Sequence, residues 1–265
     1  MPDTYETFLQ DLQRKKSLDL TGYKRPQMER RINSLMRSLQ VSDYTSYLSL
    51  MEKEPQHWRK FVDMLTINVS EFYRNPVQWE MLESKILPEL LTKANFMKIW
   101  CAGCSTGEEP YTLAMVMMNR FPKIHCSILA SDIDDEVLRK AHEGVYSDKS
   151  VANLPNQFLT KHFTHQNNTV TISDEVKKKV KFVKHNLLRE AFDKNYDIIL
   201  CRNVVIYFNE ESKSCLYRKF YAALKPGGIL FTGSTEQIFQ ARDIGFSLAS
   251  SFFYKKGDLK QGVEV

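Results

Sequence analysis

From Lys98 onward the sequence alternates short apolar runs with helical stretches, and this alternation restricts the fold more than any other feature. "MKIWCAG", "HCSILASDID", "KVKFVKHNLL", "YDIILCRNV" and "GILFTGSTE" read as strands, with "EPYTLAMVMMNRF" and "DDEVLRKAHEG" as helices between them. Strands that alternate with helices build βαβ units, and so a parallel, doubly wound sheet. The spacing breaks once, at about 145–178, where "FTHQNNTVTISDEV" reads as a small β-rich insertion with a polar turn. Residues 1 to about 90 carry a different texture. "YKRPQMERRINSLMRSLQ" places Met28, Ile32, Leu35, Met36 and Leu39 on one helical face, with Arg30, Arg31 and Arg37 expected off it in solvent. The expected organisation is a helical domain over 1–72, a linker helix over 73–97, and an α/β domain over 98–260.

The first strand leads into "KIWCAGCSTGEEPY", where Cys101 and Cys104 form a CxxC. A structural zinc site needs a second ligand pair, and the sequence has none. Carboxylates beside Cys104 raise its thiol pKa, so a redox nucleophile is a poor reading as well. What remains is a strand, a small-residue loop and a helix start with Pro110 in its first turn. Cofactors of doubly wound folds sit at this turn. The loop holds only Gly103 and Gly107 and opens its helix with Glu108 and Glu109, which would repel a pyrophosphate. A cationic cofactor suits these acids, and S-adenosylmethionine carries a sulfonium and an ammonium. Asp132, at the end of the second strand, stands where an acid accepts ribose hydroxyls.

Charge points to a partner. The eight basic residues between Arg14 and Arg37, against Asp19 and Glu29, give a surplus of six, more than the net +5 of the whole 265-residue chain. An electropositive N-terminal region implies an acidic partner surface, nucleic acid or anionic lipid. No window approaches the ~20 apolar residues of a membrane span. "MPDTYETFLQ" lacks an apolar signal core, and five cysteines suit a reducing compartment. The expectation is a cytoplasmic protein without direct membrane insertion.

"TINVSEFYRNP", "CSTGEEPYTLAM", "ASDID", "KHNLL", "CRNVVIYF" and "GSTEQIF" together resemble the chemotaxis receptor methyltransferases, the CheR family, in order along essentially the whole chain. The resemblance implies a Rossmann-like S-adenosylmethionine-dependent methyltransferase domain with a small β-subdomain, preceded by an all-α receptor-docking domain. It implies a protein-glutamate O-methyltransferase that forms glutamyl methyl esters on chemoreceptors and releases S-adenosylhomocysteine. Carried over by block, Asn68, Ser70 and Arg74 reach the cofactor from between the domains; some members have Thr at the position of Ser70. Glu109 binds the methionine moiety, Asp132 the ribose, and Asn186 and Leu187 the adenine. Arg202, Asn203 and Tyr207 line the methyl-transfer end, with Arg74 and Tyr207 as the catalytic candidates. Arg25, Arg30, Arg31 and Arg37 would dock the helical methylation region of the receptor. The implied protein is a monomer recruited to receptor arrays through the receptor. The turn "THQNNT" is short and glycine-free, so a tether peptide held by the β-subdomain is not expected.

The same blocks weigh against rivals. An adenine-directed nucleic-acid methyltransferase carries an Asn/Asp-Pro-Pro-aromatic turn after the fourth strand, where this chain has "CRNVVIYF". A dehydrogenase would need GxGxxG. A sensor that binds the cofactor without turnover stays open.

Overall fold

The computed structural model describes residues 3–65, 70–92 and 95–257. Two compact units emerge: residues 1–68 with Tyr207–Cys215, and Val69–Ile206 with 216–265.

The first unit contains α1 (Tyr5–Lys16), α2 (Arg25–Ser38), α3 (Tyr44–Lys53) and α4 (Pro55–Leu65). Short polar caps start the helices: the Thr4 hydroxyl accepts from Thr7 N–H, and the Asp43 carboxylate from Ser46 N–H at 2.7 Å. Phe8, Leu12, Met28, Ile32, Tyr47 and Phe61 fill the core of this unit. Tyr207–Cys215 joins it through backbone pairing, since Tyr23 bridges Phe208 and Lys24 N–H donates to the Tyr207 carbonyl at 2.9 Å.

Arg31 departs from the expected solvent-facing set. It is half-buried and donates to the carbonyl of Met64. That carbonyl belongs to the last turn of α4, where backbone acceptors lack helical partners, so Arg31 caps a neighbouring helix. Burial correspondingly depresses its guanidinium pKa. Arg25, Arg30 and Arg37 are exposed.

The second unit begins with α5 (Pro76–Met81), a π-helical turn (Leu82–Ile86) and α6 (Leu87–Leu91), where a linker helix is expected. Its strands are β1 (Phe96–Ala102), β2 (His125–Asp132), β3 (Val145–Ser147), β4 (Phe163–Gln166), β5 (Thr169–Ile172), β6 (Val180–Lys184), β7 (Tyr196–Cys201), β8 (Leu224–Thr232), β9 (Phe246–Ser250) and β10 (Phe253–Lys256). Among the described residues, seven form the main sheet in the order β6-β2-β1-β7-β8-β10-β9. The five strands expected from the apolar runs are its parallel part, and β10 and β9 add an antiparallel edge. α7 (Glu108–Arg120), α8 (Asp135–Glu143), α9 (Asn156–His162), α10 (Asp174–Lys177), α11 (Glu210–Ala223) and α12 (Ala241–Ile244) complete the chain. β3, β5 and β4 form the separate antiparallel sheet of the insertion. Phe72 anchors this subdomain, meeting the rings of Tyr146 and Phe163 edge-on and donating its N–H to Ser150.

β1 and β7 are neighbours, yet the chain leaves β1 toward β2 and β6 on one side and leaves β7 toward β8 on the other. Strand order therefore reverses between them, and the crevice beyond their carboxyl ends is where such sheets bind ligands.

Candidate cofactor and methyl-transfer site

The loop after β1 is fixed by its neighbours. The N–H groups of Gly103 and Cys104 both donate to the Ser131 carbonyl at the end of β2, at 2.8 and 2.9 Å. Ser105 N–H donates to Asp132 Oδ2 at 2.9 Å. Gly103 sits at φ +82, and a Cβ there would collide with the Val204 side chain. Gly103→Ala therefore meets both a left-handed backbone and a steric clash. We expect it to cost roughly 1–3 kcal/mol of stability, read as a lowered denaturation midpoint, and to weaken cofactor binding. Cys101 and Cys104 are buried, unbonded thiols whose pKa values burial pushes well above the ordinary range, the opposite of an activated nucleophile.

Acidic groups gather on this loop. Glu108 is buried and accepts the Thr106 hydroxyl at 2.7 Å, with a further bond from the side chain of Ser70. Burial raises its carboxyl pKa against those bonds. Glu109 lies at the start of α7, and burial raises its pKa too. The neighbouring charges of Arg202 and Arg74 oppose that rise, while Glu236 adds to it. Asp132 has both oxygens engaged by the backbone, Oδ2 by Ser105 and Oδ1 by Asp134 N–H at 3.2 Å, so it shapes the loop. Asp134, not singled out in the sequence, caps α8 by accepting Glu136 N–H at 2.9 Å.

Arg202 is a buried strut. Its side chain is 2% exposed, and its two terminal nitrogens donate inside the protein: Nη1 to Glu109 at 3.2 Å, and Nη2 to the Arg74 carbonyl, Asn75 Oδ1 and Gln78 Oε1 at 3.0, 3.0 and 2.8 Å. The guanidinium packs over the rings of Phe231 and Trp79, 4.7 and 5.8 Å from their centroids. Arg202 thus places Glu109 and the Arg74 segment. Tyr73 and Asn75, on either side of Arg74, adopt φ 56 and 62. The Tyr73 hydroxyl donates to Glu83 at 2.6 Å, and its N–H to the Thr112 hydroxyl at 3.1 Å, bonds that hold this unfavourable backbone.

Asn203 is likewise left-handed, at φ 60. Its N–H donates to Glu236 Oε2 at 2.6 Å. Asn186 Oδ1 accepts Leu188 N–H at 3.0 Å, closing a tight turn that positions the buried Leu187. Tyr207 ends a short turn (Val205–Tyr207) and clusters with the first unit. Asn68 lies outside the described residues. Arg202 links Glu109, the Arg74 carbonyl and Gln78, while Ser70 bonds Glu108, Asp132 braces the loop and Asn203 is held by Glu236; sequence reasoning missed Gln78, Asp134 and Glu236.

Comparison with known proteins decides the family. Residues 3–66 match the CheR methyltransferase, all-alpha domain, and residues 68–252 match the CheR methyltransferase, SAM binding domain. The chain belongs to the CheR methyltransferase family. A chemotaxis protein methyltransferase of Listeria innocua is 37% identical over 253 residues, covering 95% of this chain and 97% of that protein. One from Escherichia coli K12 is 33% identical over 228 residues, covering 82% of this chain and 78% of that protein. The chain is thus a methyltransferase with an S-adenosylmethionine-binding domain.

The CheR site suits that cofactor on its own chemistry. Glu108 and Glu109 open α7, Asp132 ends β2 and Asp134 caps α8, with Arg202 as the buried cation facing Glu109. Such an acid-rich rim favours a ligand bearing positive charge. No helix among the described residues is long and apolar enough to cross a membrane.

Proposed function

We propose that this CheR methyltransferase esterifies glutamate side chains on the helical methylation region of chemoreceptors. The Arg74–Glu109–Arg202 network carries the reading, because Arg202 ties the Glu109 carboxylate to the Arg74 backbone and so sets the Arg74 segment beside the acids of the cofactor turn. When bound, S-adenosylmethionine supplies a methyl group on positively charged sulfur. A glutamate acceptor has a reference pKa of about 4.3 and is ionised at neutral pH, so this chain needs no general base. Its task is positioning.

Glu109 is the proposed partner of the cofactor's ammonium, with Ser70 contributing a polar group from the start of the second unit; Asn68, also proposed as a cofactor ligand, lies outside the described residues. Asp132 and the neighbouring Asp134 shape the ribose end, and Asn186 and Leu187 the adenine end. Arg202 acts through Glu109 and Arg74. Arg74 presents a two-point fork to the acceptor carboxylate, and Asn203 lines the transfer end. Tyr207 belongs to the first unit.

The acidic acceptor docks on α2. Arg30 and Arg37 are exposed and seven residues apart, which puts them on one helix face two turns apart. Arg25 adds less, since Glu6 and Glu29 already neutralise it at 2.6 and 3.1 Å. Exposed charges are screened beyond a Debye length of ~10 Å at 0.1 M salt. The KM for receptor should therefore rise steeply between low and moderate salt while the KM for cofactor changes little. A salt-insensitive receptor KM would remove docking from this face. Mass spectrometry of receptor digests tests the proposal itself: peptides should gain the mass of one methylene on glutamate, and gain confined to another residue type would refute it.

A further inference from the structure

Glu236 lies on the loop after β8 and is 3% exposed. Its carboxylate gathers backbone donors from two loops. Oε2 accepts Asn203 N–H at 2.6 Å and Gly233 N–H at 2.8 Å, and Oε1 accepts Val205 N–H at 2.9 Å. Val204 N–H adds a fourth bond. A carboxylate supplies about four lone-pair sites, so this set saturates it.

The four donors hold in place the turn in which Asn203 adopts its left-handed backbone. A non-glycine residue in that region is uncommon and persists only where surroundings enforce it. Gly233 is the other half of the arrangement. A Cβ there would lie 2.5 Å from Glu236 Oε2, 2.9 Å from Asn203 N and 3.2 Å from Asn203 Nδ2. Only glycine leaves room there for the Glu236 carboxylate together with the Asn203 backbone and side-chain amide. Glu236 is given no role by the resemblance, which assigns the transfer end to Arg202, Asn203 and Tyr207.

We infer that Glu236, seated on Gly233, is the positioning residue for the methyl-transfer end: it fixes Asn203 and the 203–205 turn relative to the Arg202 strut. The inference rests on the proposed glutamate methyltransferase reading. The carboxylate is buried and its acceptor sites are taken by backbone donors, so its effect passes through Asn203 and the turn.

Two substitutions reach the clamp from opposite sides. Glu236→Gln keeps the size of the side chain but turns one acceptor oxygen into an NH2 donor facing backbone donors. Gly233→Ala keeps the carboxylate but pushes it and Asn203 apart. Both are measured in the full chain as receptor methylation kinetics, S-adenosylhomocysteine binding by calorimetry, and thermal midpoint. Positioning predicts a fall in kcat of about 100-fold for each variant, the loss typical of ~1 Å misplacement. Product affinity should hold within about threefold, the signature of an interaction realised in the transition state rather than in binding. A merely structural cap predicts a lowered midpoint with kcat of the folded enzyme unchanged, and that result overturns the inference. So does equal loss of product affinity and kcat, which would make Glu236 part of cofactor binding. If instead the unaltered protein shows no receptor methylation, the underlying reading fails.

Discussion

Replacing Arg202 with leucine should lower the unfolding free energy by ~3–5 kcal/mol, because the change strands the buried partners of its guanidinium. Glu109, 14% exposed, loses its 3.2 Å partner, and Gln78, Asn75 and the Arg74 carbonyl lose a common donor. The loss has a specific signature. Adding Glu109→Gln to Arg202→Leu removes the unpaired charge and should recover part of the stability, giving a non-additive cycle. Denaturant titration of the two single variants and the double variant measures this directly. A single variant within about 1 kcal/mol of the parent, or a strictly additive cycle, would show that the network stores no such energy. Cofactor binding should fall with stability, since Arg202 also fixes the carbonyl of Arg74.

Arg74→Lys should reduce kcat/KM for receptor by about 100-fold while preserving the fold. Charge is retained, so the Coulombic attraction of an acidic acceptor survives. What is lost is the planar fork that binds a carboxylate at two points. Left-handed Tyr73 and Asn75 on either side of Arg74 fix the course of the backbone that carries it. Steady-state kinetics with receptor as the varied substrate checks the prediction. An unchanged kcat/KM would mean that Arg74 supplies charge alone, or nothing.

Much of this was legible because it is local. Apolar runs gave the five parallel strands, and "AGCSTG" before two acids gave the cofactor turn, since strand ends and helix starts have short-range chemistry. The antiparallel edge was not foreseen. β9 and β10 are joined through Ser251 and Phe252, with Phe252 left-handed at φ 67, so the hairpin lacks the Gly or Asn that announces one. Residues 207–215 join the helical unit through the bridge between Tyr23 and Phe208, a pairing across most of the chain that no local pattern encodes. Arg31 looked solvent-facing from α2 alone, and only the end of α4 turns it into a cap. Glu236 was visible as a letter in "GSTE", but its role depends on donors about thirty residues earlier. Asp132 shows the converse: its position in the pattern was clear, whereas the backbone bonds that occupy both its oxygens were not.

The central claim is that the chain transfers a methyl group to a carboxyl oxygen of a receptor. The most direct measurement is transfer from methyl-labelled S-adenosylmethionine to receptor-containing membranes, followed by mild alkali. The account predicts receptor-dependent label released as volatile methanol, the behaviour of a glutamyl methyl ester. Label that stays on the protein after alkali would place the methyl on nitrogen or another stable acceptor and contradict the account.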